Sequence, residues 1–327
     1  MAMPDNINSL IEELKNALDS GISLSDANIE EKLRRVIRLA PPVAMMKLPI
    51  FHKKIFFTDS YHQASHKKAV KQPVFVRVRK IDQSFHGKPI SYDEIIHPQP
   101  KYSRLGRANR NGNPIFYCSA HENPEMAELA ALYEVNARIG EQYIVSYWQL
   151  SGQLRLFNLG KTVVTAKHHA SYQVDEFPDP TNPILAEVFC SPDKKYYPIT
   201  SMLCEILLYG CLYDQSLIQG HPQGIIYPSI QIDGLRLNAK CDNYAITPQA
   251  LKDSLVWKRS DFVTIAQDAH MANGVVHITR MKGMACELDE DNNMRLILEN
   301  NRGFFENRPI VYGNSFMVFD PHGELVF

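Results

Sequence analysis

PVFVRVRKI, residues 73–81, is the stretch that decides the fold. Val74, Val76 and Val78 fall on one face, and Phe75, Arg77 and Arg79 on the other. That period of two, with β-branched residues at alternate positions, predicts a strand. Two arginines on the opposite face are either exposed to solvent or gathered into an anion site.

Downstream, RLGRANRNGNPIFYCS (104–119) reads as a polar, turn-rich loop over Arg107–Gly112 that gives way after Pro114 to a short strand, IFYCS. ENPEMAELAALYEVNARIG follows as a helix. Pro124 suits its first turn, Ala127, Ala130, Ala131 and Leu132 carry it to about Ala137, and Gly140 closes it. EQYIVSYWQL and LRLFNLG read as strands, and YPITSMLCEILLYGCLY (197–213) as a mostly buried helix. GIIYPSIQ is a strand broken at Pro228, and GLRLNAKC is another strand. Residues 251–327 read as β-rich.

Upstream, Ile7, Leu10, Ile11, Leu14 and Leu18 share one face of a helix over 5–19. A second helix spans 28–39, with Ile29, Leu33, Val36 and Ile37 toward a core, and Pro41-Pro42 ends it. Both fit a helical arm that covers a core. Between arm and strand lies a polar run holding His62, His66, Lys67 and Lys68, which reads as solvated surface, with phosphate or metal binding the alternative. Strands and helices mix without a βαβ rhythm, so the fold class is α+β. The expected organisation is an N-terminal helical arm and linker over 1–70, a central domain over 71–250 and a β-rich extension over 251–327.

The chain has 327 residues, 45% of them hydrophobic, enough for a sizeable core in one or two domains. With 35 basic and 36 acidic residues it carries no bulk charge that would draw it to nucleic acid or to an acidic membrane. The six cysteines form no CxxC pair and read as reduced core residues. The acidic, amphipathic N-terminus is unlike a signal peptide, and no run approaches the roughly 18 apolar residues of a membrane span. A soluble cytoplasmic protein is expected.

GxGxxG, Walker, HExxH and GxSxG motifs are absent. Adjacent His168 and His169 on a strand would point to opposite faces and make a poor joint metal site. ELDEDNN (287–293) lacks the spacing and glycine of a calcium loop. No metal is expected.

Three features stand apart: Arg77 on its strand, Tyr117 with a helical glutamate after it, and Ser229 beyond the Tyr-Pro break. Taken singly, each has an ordinary reading as an exposed strand residue, a core tyrosine or a turn hydroxyl. Together and in order, FVRVRK, GRANRNGNPIFYCS, ALYEV with GEQYIVSYW, and GIIYPSIQ with GLRLNAK resemble the RES domain, a family named for an arginine, a glutamate and a serine. The resemblance covers roughly residues 73–250. It implies a fold similar to ADP-ribosyltransferases, with small twisted, mostly antiparallel sheets and flanking helices around an NAD cleft. It also implies an enzyme that cleaves the nicotinamide–ribose bond of NAD with water or phosphate as acceptor, of the kind found among bacterial toxins. Transfer of ADP-ribose to a macromolecule, or NAD binding without turnover, are the alternatives. The partners implied are NAD and a helix-turn-helix antitoxin, and a homo-oligomer is compatible with it.

Carried over residue by residue, the resemblance assigns the arginine to Arg77, the tyrosine to Tyr117 and the serine to Ser229, with Arg107 and Asn109 in the polar loop contacting phosphate or shaping the site. The glutamate has two registers. Family spacing from Tyr117 lands on Glu128; the local pattern Ala-Leu-Tyr-Glu lands on Glu134, whose two flanks both match. Six residues of helix turn through roughly 600°, so only one of the two can face a cleft. These residue types suit the chemistry. Nicotinamide is already a good leaving group, and the barrier lies in an oxocarbenium-like ribosyl centre. A carboxylate stabilises that developing charge. An arginine binds a pyrophosphate through paired hydrogen bonds. A tyrosine covers an aromatic ring, and a serine hydroxyl bonds ribose or holds the glutamate.

Overall fold

The computed structural model describes residues 7–22, 25–39, 46–48, 73–82, 91–121, 123–138, 140–158, 188–209, 222–229 and 241–265, and the strand segments 270–272, 275–277, 280–288, 294–297, 318–319 and 325–326. The expected strand GLRLNAKC, the His168–His169 pair and the His62–Lys68 run lie outside the described residues, Cys241 excepted.

The fold is α+β and is built on a single ten-stranded mixed sheet. Its strands are β1 (Met46–Leu48), β2 (Val74–Ile81), β3 (Phe116–His121), β4 (Gln142–Leu150), β5 (Leu154–Asn158), β6 (Gly224–Pro228), β7 (Asp242–Ile246), β8 (Leu255–Ile265), β11 (Arg280–Leu288) and β12 (Met294–Ile297), while β9 (His270–Ala272) pairs with β10 (Val275–His277), and β13 (Val318–Phe319) with β14 (Leu325–Val326), as separate ribbons. The order across the sheet is β1-β5-β6-β7-β3-β2-β4-β8-β11-β12. Only β5 and β6 run parallel; every other neighbouring pair is antiparallel. The expected boundary at 250 corresponds to no break in the sheet. It falls inside a short helix, α5 (Pro248–Ser254), and β8 beyond it pairs with β4 from Leu255↔Leu150 to Thr264↔Gln142. Strand β1, in the expected arm, likewise joins the sheet at its edge, beside β5.

Helices α1 (Ile7–Asp19), α2 (Asp26–Leu39), α3 (Pro124–Glu134) and α4 (Tyr197–Tyr209) form the second layer. Leu10, Ile11, Leu14, Ile29, Leu33 and Val36 bury the apolar stripes of α1 and α2 against Ile199, Met202, Leu203 and Ile206 of α4. The same cluster takes in Ile225, Tyr227 and Ala245 from the sheet. Helix α3 lies on Val74, Val76 and Val78 of β2 through Ala127, Ala131 and Leu132. These small and medium side chains let the helix sit close to the strand. On the reverse face Phe75, Phe116, Trp148 and Tyr244 form an aromatic core, with Trp148 edge-on to Phe116 at 5.2 Å. Helix α5 covers part of that face through Ala250 and Leu251. Its start is marked by Thr247, whose Oγ1 accepts from Ala250 N, and by Pro248 in the first turn, a signal the reading of 251–327 as β-rich passed over. Among the described residues no helix is long and apolar enough to cross a membrane.

The end of α3 differs from the sequence expectation. The helix stops at Glu134, not near Ala137. Asn136 takes the left-handed conformation at φ 52°, while Ala137 N–H donates to Leu132 O and Asn136 N–H to Tyr133 O. That is a Schellman closure with asparagine in the position glycine usually fills. Glu134 is thereby fixed as the last helical residue.

Candidate functional site

A carboxylate at a helix C-terminus faces the negative end of the helix dipole, at a cost of about 0.3–1 kcal/mol. Glu134 stands there and is exposed. Two donors offset that cost. Ser229 Oγ donates to Glu134 Oε1 at 3.0 Å, and Asn243 Nδ2 donates to the same oxygen at 2.7 Å. Oε2 accepts no hydrogen bond among the described residues, so one oxygen is clamped and the other is open.

Ser229 is 1% exposed, directly after β6. Pro228 does not end the strand pairing, because it lies opposite Asp242 and Ser229 N–H still donates to Cys241 O at 2.7 Å. The backbone bond continues the ladder while the side chain turns to the carboxylate. Glu128, the other candidate glutamate, is buried on α3 and accepts from Tyr147 Oη at 2.7 Å. Of these two, Glu134 is the one that combines fixed orientation with access to solvent.

Tyr117 shares the helix-covered face, but its hydroxyl is spent on structure. It accepts from Ala108 N–H at 2.7 Å and donates to Asn109 Oδ1 at 2.8 Å. Burial raises its ionisation far above the ordinary tyrosine range, so it stays a neutral donor and acceptor. Asn109 is buried, and its Nδ2 bonds Ser103 Oγ, Arg104 O and Arg110 O. Of the two roles expected for Asn109, contacting phosphate or shaping the site, these bonds favour the second: tyrosine and asparagine together shape the 103–113 loop. Gly106 is required there, since a Cβ would stand 2.6 Å from Asn109 Oδ1 and 3.0 Å from Tyr117 Oη.

That loop presents Arg107. Its Nη1 donates to the carbonyls of Phe189 and Ser191, the latter at 2.8 Å. Its guanidinium lies 5.5 Å from the Tyr197 ring centre and 5.9 Å from that of Tyr227. Among the described residues its Nε and Nη2 make no hydrogen bond. Burial raises the ionisation of the Tyr227 hydroxyl well above the usual value, Glu134 adds to the rise, and Arg107 opposes it.

Arg77 is elsewhere. Strand alternation puts it with Phe75 on the reverse face, over the Phe116 ring at 5.5 Å. Strands β2 and β3 pair only from Val74↔His121 to Val76↔Ser119. Where they part, Arg77 Nη1 donates to the Tyr117 carbonyl at 3.1 Å, taking the place of a ladder bond. Its Nε is buried without a partner. Burial and, secondarily, Arg79 lower it to about 10, which leaves it cationic at neutral pH. The sequence reading set Arg77 beside Ser229 and a glutamate; the sheet separates them, and the arginine on the Glu134 face is Arg107.

Asn243 was missed in the sequence. The signal was Asp242-Asn243 opening the strand DNYAI, two residue types that strands disfavour and that are here fully or nearly buried. Among the described residues no group of three or more His, Cys, Asp or Glu side chains could hold a metal ion. No protein-family model, curated protein or solved structure matches the chain.

Proposed function

We propose that the chain is an NAD-consuming enzyme that breaks the bond between nicotinamide and ribose, within an ADP-ribosyltransferase-like RES fold. The observation that carries the proposal is Glu134, held through Oε1 by Ser229 and Asn243 with Oε2 open. An oriented carboxylate of this kind stabilises a ribosyl cation without having to reorganise as the charge forms. Nicotinamide departs neutral with the electron pair of the C–N bond. Water adds to the ribosyl carbon and gives up a proton, yielding ADP-ribose; with phosphate as acceptor the product is ADP-ribose 1″-phosphate. Arg107, flanked by Tyr197 and Tyr227, supplies the cation for the pyrophosphate through its Nε–Nη2 edge, which makes no hydrogen bond among the described residues. In a cell the outcome is loss of NAD, the action of a toxin or defence effector, and a cognate helix-turn-helix antitoxin is the partner this reading calls for.

The test is incubation of the purified protein with NAD in phosphate-free and in phosphate buffer, with chromatographic identification of products. Free nicotinamide with ADP-ribose or its 1″-phosphate is expected, and Glu134→Gln lowers the rate about 10²–10³-fold. NAD left intact in both buffers overturns the proposal. Label from adenylate-labelled NAD retained on protein would redirect it to macromolecular ADP-ribosylation.

A further inference from the structure

Ser119 is 1% exposed and lies beneath α3, where no substrate can touch it. Its hydroxyl nevertheless makes a short bond, donating to Asn243 Oδ1 at 2.6 Å. Asn243 in turn donates to Glu134 Oε1. The register explains the contact. Tyr227 lies opposite Asn243, Asn243 opposite Ser119, and Ser119 opposite Val76, so these four side chains form one row across β6, β7, β3 and β2 on the helix-covered face. Side chains directly opposite in an antiparallel pair stand close enough for a hydroxyl to reach an amide.

The chain of bonds has a direction. An ionised carboxylate only accepts, so Asn243 must turn its NH2 group toward Glu134. Its carbonyl then faces Ser119, and the serine hydroxyl must donate. With both amide ends engaged, the asparagine is held in a single orientation. Removing the serine hydroxyl leaves a buried carbonyl with a lost partner, which is costly enough to let the amide turn away from the carboxylate.

We infer that Ser119 is a positioning residue for Glu134, acting through Asn243 and never touching substrate. The inference rests on the reading of Glu134 as the reacting carboxylate. Loss of the hydroxyl loosens the clamped oxygen and so misplaces the open one. The effect belongs in the rate of bond cleavage and not in NAD affinity.

Ser119→Ala is expected to lower kcat for NAD about three- to ten-fold with KM near wild type, and Asn243→Ala to lower it about ten- to a hundred-fold. Ser119→Thr, which keeps the hydroxyl, restores most of the loss. The decisive arm is a double-mutant cycle. Ser119→Ala added to Asn243→Ala, or to Glu134→Gln, has no further effect if serine acts through that chain. An equal loss in every background, or a rise in KM with kcat unmoved, overturns the inference. A second readout does not depend on turnover: the 13C carboxyl resonance of Glu134, assigned by its disappearance in Glu134→Gln, shifts in Ser119→Ala and in Asn243→Ala. If that resonance shifts while wild type leaves NAD intact, the positioning stands and the enzymatic reading falls; if it does not shift in Ser119→Ala, the positioning falls.

Discussion

Of the three glutamates of helix α3, two stand six residues apart, Glu128 and Glu134, and each accepts a hydrogen bond from a side chain of the sheet below. Glu128 meets Tyr147 and is 6% exposed. Glu134 meets Ser229 and Asn243 and remains exposed at the helix end. The contrast is between a carboxylate enclosed in the fold and one held at its edge. Both are oriented, but only the second keeps an oxygen free to meet something from outside. The Schellman turn at Asn136 ends the helix at Glu134, so this side chain stands at the helix terminus while Glu128 lies within the helix.

The largest effect that would break this comparison is at Glu134 itself. Glu134→Gln keeps size and most of the hydrogen bonding, so a melt close to wild type should accompany a loss of NAD cleavage of about 10²–10³-fold, the size of effect seen on losing one preorganised stabiliser. Next is the cation on the same face. Arg107→Met should raise KM for NAD about ten- to a hundred-fold, the worth of hydrogen bonds to a charged group, while Arg77→Met on the reverse face leaves KM in place; steady-state kinetics on the pair decides it. Glu128→Gln should show the reverse pattern to Glu134→Gln: stability falls by about 1–3 kcal/mol in urea titration, as expected for a disturbed buried bond, and kcat of the folded protein is unchanged. Ser229→Ala removes one of two donors to Oε1 and should lower kcat about two- to ten-fold.

The smallest effect sharpens the comparison with a third carboxylate. Glu141 accepts from Tyr143 Oη and pairs with Lys80 at the surface. The Lys80 hydrogen bond first, and that from Tyr143 second, hold its carboxyl below the usual range. A lowered carboxylate stabilises the fold at pH values above the unfolded carboxylate's and loses that contribution as pH falls through the folded value. The difference in melting temperature between wild type and Lys80→Met should therefore be small at neutral pH, shrink on acidification and shrink with added salt. A difference that grew in acid would contradict the ion pair.

Strand and helix periods carried much of the architecture into the sequence. The alternation in β2 and the stripes of α1 and α2 are written in residues whose burial follows from local geometry. The association of Glu134 with Ser229 was foreshadowed by the order of motifs. The position of Arg77 was not. Alternation correctly set it against the valines, but which face carries the site depends on where α3 docks, and that is decided by residues far apart in sequence. For Tyr117 and Asn109 the sequence left a ligand role and a scaffold role both open, because a hydroxyl or an amide looks the same in sequence whether it meets a ligand or a loop. Asn243 could have been found from its low strand propensity in an otherwise apolar run. The sheet's single, continuous form was hidden because pairing between β4 and β8 joins segments that composition alone assigns to separate regions.

The register row beneath α3 also sets an order of events. Glu134 is held by groups 95 and 109 residues further along the chain, and Ser119 meets Asn243 across 124 residues. Contacts of such long sequence separation form late, after the loops between them have closed. During synthesis the carboxylate emerges before either group that clamps it, and the second donor, Asn243, comes into place only with the pairing of β7 and β3. The clamped geometry of Glu134 is thus a property of the finished sheet, and a partly made chain carries the glutamate without its orientation.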